Sequence, residues 1–149
     1  MQNSPQPYPL PEGSLLLPLA FEDRSVNNFV YLKNGKPHYN FTVARDTALP
    51  SEDIAAYVTR QIALLKRNIP SYQLKQRSPV QLGKDASALF GEQLDACYKS
   101  GHQTVYQCHA AFFITHERAL NFSASSASAF DADFYTVWQA WLASFVPAA

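Results

Sequence analysis

Asn34-Gly35 is the feature that most constrains this chain. Both residue types accept the left-handed backbone of a tight turn, and they separate two runs rich in β-branched and aromatic residues, roughly 25–32 and 38–44. The pair therefore predicts a β-hairpin. Loop length then decides which side chains share a face. A two-residue loop pairs Phe29 with Asn40 and Tyr31 with His38. A three-residue loop that includes Lys36 pairs Phe29 with Phe41 and Tyr31 with Tyr39. The second register is preferred, because cross-strand aromatic pairs stabilise a sheet and a one-residue slip exchanges its faces.

Before the hairpin, Pro5, Pro7, Pro9 and Pro11 favour an extended segment without internal hydrogen bonds. Residues 1–14 are accordingly expected as a flexible lead-in to one domain over 15–149. From Ser51 the pattern becomes helical. Ser51 can cap, Glu52 and Asp53 suit the positive end, Ile54, Val58, Ile62 and Leu65 keep helical spacing, and Pro70 ends the run. Strands are expected near 72–82, 86–98, 104–115 and 120–125, with turns at Gly83-Lys84-Asp85, Ser100-Gly101-His102 and His116-Glu117-Arg118. Behind Asp131 and Asp133, the positions Phe134, Val137, Trp138, Trp141, Leu142 and Phe145 mark an amphipathic helix. The order β-β-α-β-β-β-β-α with short turns predicts an α+β fold, a largely antiparallel sheet with two helices packed on one face.

Three-residue loops throughout set Ala88, Phe90, Leu94 and Ala96 against Ile114, Phe112, Cys108 and Tyr106, and Ile114 and Phe112 against Leu120 and Phe122. With the hairpin aromatics these form a core face. The opposite face then holds Val26, Asn28, Val30, Asn40, Thr42, Ala44, Gln93, Gln107, His109, Ala111, Phe113, Asn121 and Ser123, almost without charge. A solvated sheet face is one reading. A docking surface for another chain is the other, since small residues admit a close apolar helix and amides satisfy polar groups that docking would desolvate. Gln61 raises the same choice, because its helical neighbours Tyr57, Val58, Ile62 and Leu65 are apolar; a core amide bonded to backbone explains it equally.

Lysine and arginine number 12 against 12 acidic residues, so the formal net charge is zero and nucleic acid is not an expected partner. No apolar run nears the ~20 residues of a membrane span. The short run Leu15-Leu16-Leu17-Pro18-Leu19 lacks a preceding basic residue and does not read as a signal peptide, so a cytoplasmic location is expected. No glycine pattern suits a phosphate, and no cofactor is expected. In the preferred register Cys97 and Cys108 point to opposite faces, which rules out a shared zinc or disulfide; Cys108 reads as a small core residue. Cys108 and His109 also diverge, so no catalytic Cys-His pair is assembled and no enzyme is expected. The remaining route to an enzyme is His109 with Gln93 or Gln107.

Three segments carry a resemblance: Asp23-Arg24-Ser25-Val26-Asn27-Asn28-Phe29, then Asn40-Phe41-Thr42-Val43-Ala44-Arg45-Asp46, and Tyr57-Val58-Thr59-Arg60-Gln61-Ile62 ahead of Ile69-Pro70. Together, over roughly residues 15–146, they resemble the effector-associated (Eag) chaperones of bacterial type VI secretion. Those belong with the DcrB-like proteins, whose fold is similar to that of the photosystem protein PsbP. The resemblance implies a curved sheet with a partner-binding groove, in a cytoplasmic homodimer. That dimer would hold the N-terminal transmembrane segments of a PAAR-containing effector until loading onto the VgrG spike. Val26, Asn28, Asn40 and Ala44 fall on the family's groove positions and Gln61 on its helix glutamine. Asn28 stands where an aliphatic residue is usual. The family's second glutamine falls at Ala111 by counting back from the last hairpin, with Gln107 four residues earlier on the same face. A DcrB-like module for a small ligand or an envelope partner is the alternative.

Overall fold

The Asn34-Gly35 turn joins both hairpin registers. In the computed structural model, which describes residues 4–148, Asn34 and Gly35 take φ of 54° and 75°, the left-handed pair of a two-residue type I′ loop. Lys33 faces Lys36 and Leu32 faces Pro37, but an irregularity between Tyr31 and Leu32 then restores Tyr31 opposite Tyr39 and Phe29 opposite Phe41. The aromatic register thus holds through a bulge rather than a longer loop.

The chain orders as β1 (Gln6–Leu10), β2 (Gly13–Leu17), β3 (Val26–Lys33), β4 (Lys36–Thr47), α1 (Ile54–Asn68), β5 (Gln73–Leu82), β6 (Leu89–Ser100), β7 (Gln103–Phe113), β8 (Arg118–Ser126) and α2 (Ala132–Ala143). The fold is α+β. Strands β3-β4-β8-β7-β6-β5 form an open six-stranded sheet, and every pairing in it is antiparallel. The proline-spaced start is extended as expected but not unpaired: β1 and β2 form a separate two-stranded hairpin.

The helices lie on opposite faces of the sheet, not on one. Buried Phe134, Trp138 and Leu142 of α2 pack on Tyr39, Phe41, Cys108, Ala110, Phe112, Phe122 and Ala124. Buried Tyr57, Val58 and Ile62 of α1 pack instead on Leu94, Ala111 and Ala119, whose side chains point the other way. Topology demands this long reach, because β4 is second in the sheet and β5 is at the far edge, so α1 must cross over β8, β7 and β6. The helix is also latched: the Arg77 guanidinium donates to Thr59 Oγ1 and the Ala55 carbonyl at 2.9 Å each while pairing with Glu92. Its N-cap is Asp53, whose carboxylate accepts from the Ala56 N–H at 2.8 Å; Ser51 sits in the preceding loop at φ 62°. Asp131 caps α2 in the same way.

One register differs and turns β6 over. Ser100 pairs with Gln103 around a two-residue Gly101-His102 loop, with Gly101 at φ 63°, so Leu94 opposes His109 and not Cys108. Three consequences follow. Leu94 and Ala96 are buried, as expected, but on the α1 face; Phe90 is exposed; and Cys97 and Cys108 share the α2 face as free thiols. Burial pushes the Cys108 thiol pKa up, with the Asp95 charge adding to the effect. In the last hairpin Phe112 pairs with Leu120, two positions from the expected register, and an even shift leaves the faces unchanged.

β6 also approaches β7 too closely for a side chain at Gly91, where a Cβ would lie 2.0 Å from the Ala111 carbonyl oxygen and 2.6 Å from the Phe112 ring. Gly91→Ala is expected to destabilise the fold by about 2–3 kcal/mol through overpacking. A lowered urea midpoint checks this, and an unchanged midpoint contradicts it.

Candidate functional site

Beside α1, the sheet face is left partly uncovered, and its floor is built by alternation. Val26 pairs with Ala44, Asn28 with Thr42 and Val30 with Asn40, so all six project to the α1 side. β8 continues that face with Ser125, Ser123 and Asn121, and β7 with Gln107 and His109. None of these residues is charged. Val26 and Val30 are 57% and 50% exposed, and Asn40, Thr42, Ala44, Gln107 and His109 are half-buried. The result is a shallow groove walled by α1, with apolar, hydroxyl and amide groups interleaved. Thr42 and Ser123 hydroxyls bond to each other across its floor.

A chain of hydrogen bonds runs up the α1 wall. Asn121 Nδ2 donates to the Tyr57 hydroxyl at 2.9 Å, and that hydroxyl donates to Asp46 Oδ2 at 2.8 Å. Gln61 Nε2 also reaches Asp46 Oδ2, at 3.4 Å. At the other end His109 Nε2 lies 2.8 Å from Asn121 Oδ1. Since that oxygen only accepts, the ring must donate from Nε2, which fixes the tautomer. Burial lowers the His109 pKa against the opposing effect of the Asn121 bond, so the neutral ring is the resting form. The Tyr57 hydroxyl, fully buried, has its pKa raised, chiefly by desolvation.

This linkage has a sign. A histidine whose folded pKa lies below its ordinary 6.5 contributes stability that is present above that value. The contribution is lost as pH falls from about 6.5 toward the depressed pKa. Replacing His109→Gln, which keeps a donor for Asn121, is expected to flatten this acid-side loss. Chemical denaturation at pH 7.5 and 5.5, roughly one unit either side of the ordinary histidine value, reads the difference. An identical pH slope in both proteins contradicts the assignment.

The structure brings together most of the residues singled out from sequence. Val26, Asn28, Val30, Asn40, Thr42, Ala44, Gln107 and His109 line one surface, with Gln61 at its edge. Two do not belong. Gln93 faces α2, where its Oε1 accepts from the Trp138 indole N–H at 2.9 Å. Ala111 is on the groove side but only 3% exposed, roofed by α1. The two corrections have different origins: the β6 register turns Gln93 over, and the placement of α1 covers Ala111. Sequence reasoning did not single out Tyr57, Asn121 and Asp46 as one unit. Their signal was present: Tyr57 and Gln61 are one helical turn apart, and Asp46 continues the alternation of Asn40, Thr42 and Ala44. Among the described residues no group of three His, Cys, Asp or Glu could hold a metal, and no helix is long and apolar enough to cross a membrane.

Over its full length the chain is similar to the crystal structure of PA94, a protein of unknown function from Pseudomonas aeruginosa. The TM-score is 0.74 at 21% identity, covering 99% of each chain, which shows a shared fold. In sequence it is 29% identical over 87 residues to a protein of the same species described as "Effector EagT6". That match covers 58% of this chain and 60% of that protein, so the alignment spans about three-fifths of the relative's length. The DcrB family model matches residues 12–144, nearly the whole sheet and both helices, and the chain belongs to the DcrB family.

Proposed function

We propose that this protein is a type VI secretion effector chaperone. In this reading it holds the N-terminal transmembrane segments of a PAAR-containing effector in the groove beside α1, in the cytoplasm, until the effector is loaded onto VgrG. Two copies of the chain act together, and no cofactor or catalysis is involved. One observation carries the reading: a groove whose floor carries no charge, in which exposed valines alternate with amides and hydroxyls, with Thr42 bonded to Ser123 on the floor and Asn121 to Tyr57 on the wall. Such a surface covers an apolar helix and still offers partners to its polar positions. Burying one large apolar side chain is worth about 1.5–3 kcal/mol, so several client anchors can offset the cost of ordering the client. DcrB membership and the similarity to the protein named Effector EagT6 support the same reading.

The test is co-expression of the full chain with the N-terminal region of a PAAR-containing effector encoded beside it, followed by affinity purification and mass measurement. A complex with two copies of this chain is expected. Failure of a folded, soluble chain to retain that region overturns the reading.

A further inference from the structure

The groove floor carries no charge, but one end of it does. At the end of β4 away from the Asn34-Gly35 turn, Val26 and Asp46 pass from the groove into a cleft of about 440 Å³ around the foot of the sheet. β4 and β8 add Thr47, Arg45 and Arg118 from the other face, and residues 22–25 close the outer side. Six of the nine lining residues are charged, against 16% of the whole chain, so this cleft offers charge rather than apolar area. Its acids are answered within the fold. Glu22 pairs with Arg24 at 2.9 Å. Asp23 accepts from the Ser25 N–H at 2.9 Å and from the Ser25 hydroxyl; these bonds, with a smaller effect of Arg45, hold its carboxyl below the usual carboxylate range. Asp46 accepts from Tyr57, Gln61 and the Thr47 N–H. Two of the arginines are not answered. Arg45 donates only to neutral oxygens, those of the Asn27 amide and the Val43 carbonyl. Among the described residues, neither Arg45 nor Arg118 forms an ion pair.

We propose that Arg45 and Arg118 receive a carboxylate of the client, an aspartate or glutamate that flanks an apolar segment seated in the groove. Groove and cleft share Val26 and Asp46, so a helix laid on the floor carries its flanking residues over the arginines. A guanidinium suits that task, because its planar fork gives a carboxylate two parallel N–H bonds where an ammonium acts as a point charge. The floor alone discriminates poorly between apolar helices. A charge pair at its end fixes which way and how far along a segment lies, rejects segments flanked by basic residues, and speeds encounter. Arg24, Arg45 and Arg118 are all exposed, so salt screens the pair, and its effect falls on selection of the client rather than on stability of the empty fold.

This rests on the chaperone reading above and adds a charge requirement to its client. The experiment uses the full chain co-expressed with the effector region and measures client retained at about 0.1 M and about 1 M salt, between which the screening length shrinks from about 10 to about 3 Å. The natural chain is expected to retain less client at the higher salt. Arg45→Glu with Arg118→Glu is expected to retain about tenfold less than the natural chain at the lower salt, with far-UV circular dichroism unchanged. Lys84→Glu, the same charge change in the β5–β6 turn, should match the natural chain. If the double variant misfolds, Arg118→Glu alone takes its place. A client region whose flanking Asp and Glu are changed to Lys should be lost by the natural chain and regained by the glutamate variant. A folded variant that retains the client as well as the natural chain does, or a charge-reversed client that is not regained, overturns the proposal alone. A natural chain that captures nothing at either salt overturns the chaperone reading and this proposal with it.

Discussion

Trp138→Ala is expected to cost the fold about 3–5 kcal/mol, a large share of the roughly 5–15 kcal/mol that holds a domain of this size together. Trp138 is fully buried at the centre of the aromatic layer under α2, with ring centroids 5.9 Å from Phe134, 5.8 Å from Trp141 and 6.3 Å from Phe41. Removing the indole leaves a void that these rigid rings do not fill. It also takes the donor from Gln93, whose amide oxygen then remains half-buried without its partner. Trp138→Phe separates the two contributions, because it restores much of the volume but not the N–H. Urea denaturation should rank the proteins natural, Phe, Ala. A loss under about 1 kcal/mol for the alanine variant contradicts this account of the core.

Changing Val26 and Gln61 together to lysine is expected to abolish client capture while leaving the domain folded. Val26 lies on the groove floor and is more than half exposed, and Gln61 makes only one long side-chain bond, to Asp46. Neither change empties the core. In a complex, each ammonium would be desolvated against an apolar helix, and a loss of about 3 kcal/mol lowers affinity roughly a hundredfold. Pull-down with the effector region reads the loss, and thermal unfolding confirms that the variant is folded. Retained capture by a folded double variant removes the groove from the binding site.

Much of this architecture was legible in the residues. The Asn-Gly turn, the aromatic pairing of β3 with β4, the two helices and their order follow from local chemistry: turn residues with left-handed backbone, alternation for strands, and a 3.6-residue stripe behind acidic residues, although the cap of α1 is Asp53 and not the expected Ser51. The groove positions of β3, β4, β7 and β8 also followed, because parity alone assigns a strand's faces once one pair is known. Gln93 was lost for the same reason. A two-residue Gly101-His102 loop shifts β6 by one, and one is the shift that parity does not forgive.

By itself, then, the sequence determined the six strands of the main sheet, the two helices and which side chains alternate within each strand, but not the β1–β2 hairpin, which was expected as a flexible lead-in. Only the tertiary structure decided which side of the sheet each helix covers. The stripe of α1 states that the helix needs an apolar surface, and two such surfaces were available. Connectivity sets the reach, since a chain leaving β4 and entering β5 at the far edge must cross three intervening strands; with α2 on the aromatic side, α1 makes that crossing on the other. That crossing roofs Ala111, turns Tyr57 and Gln61 toward Asn121 and Asp46, and leaves the remaining strip of uncharged sheet beside the helix as a groove. Local patterns mark the face of each element that carries Tyr57 and Asp46, but the contact between residues as distant in the chain as Tyr57 and Asn121 leaves no such pattern, because neither residue's neighbours in sequence register the other's position.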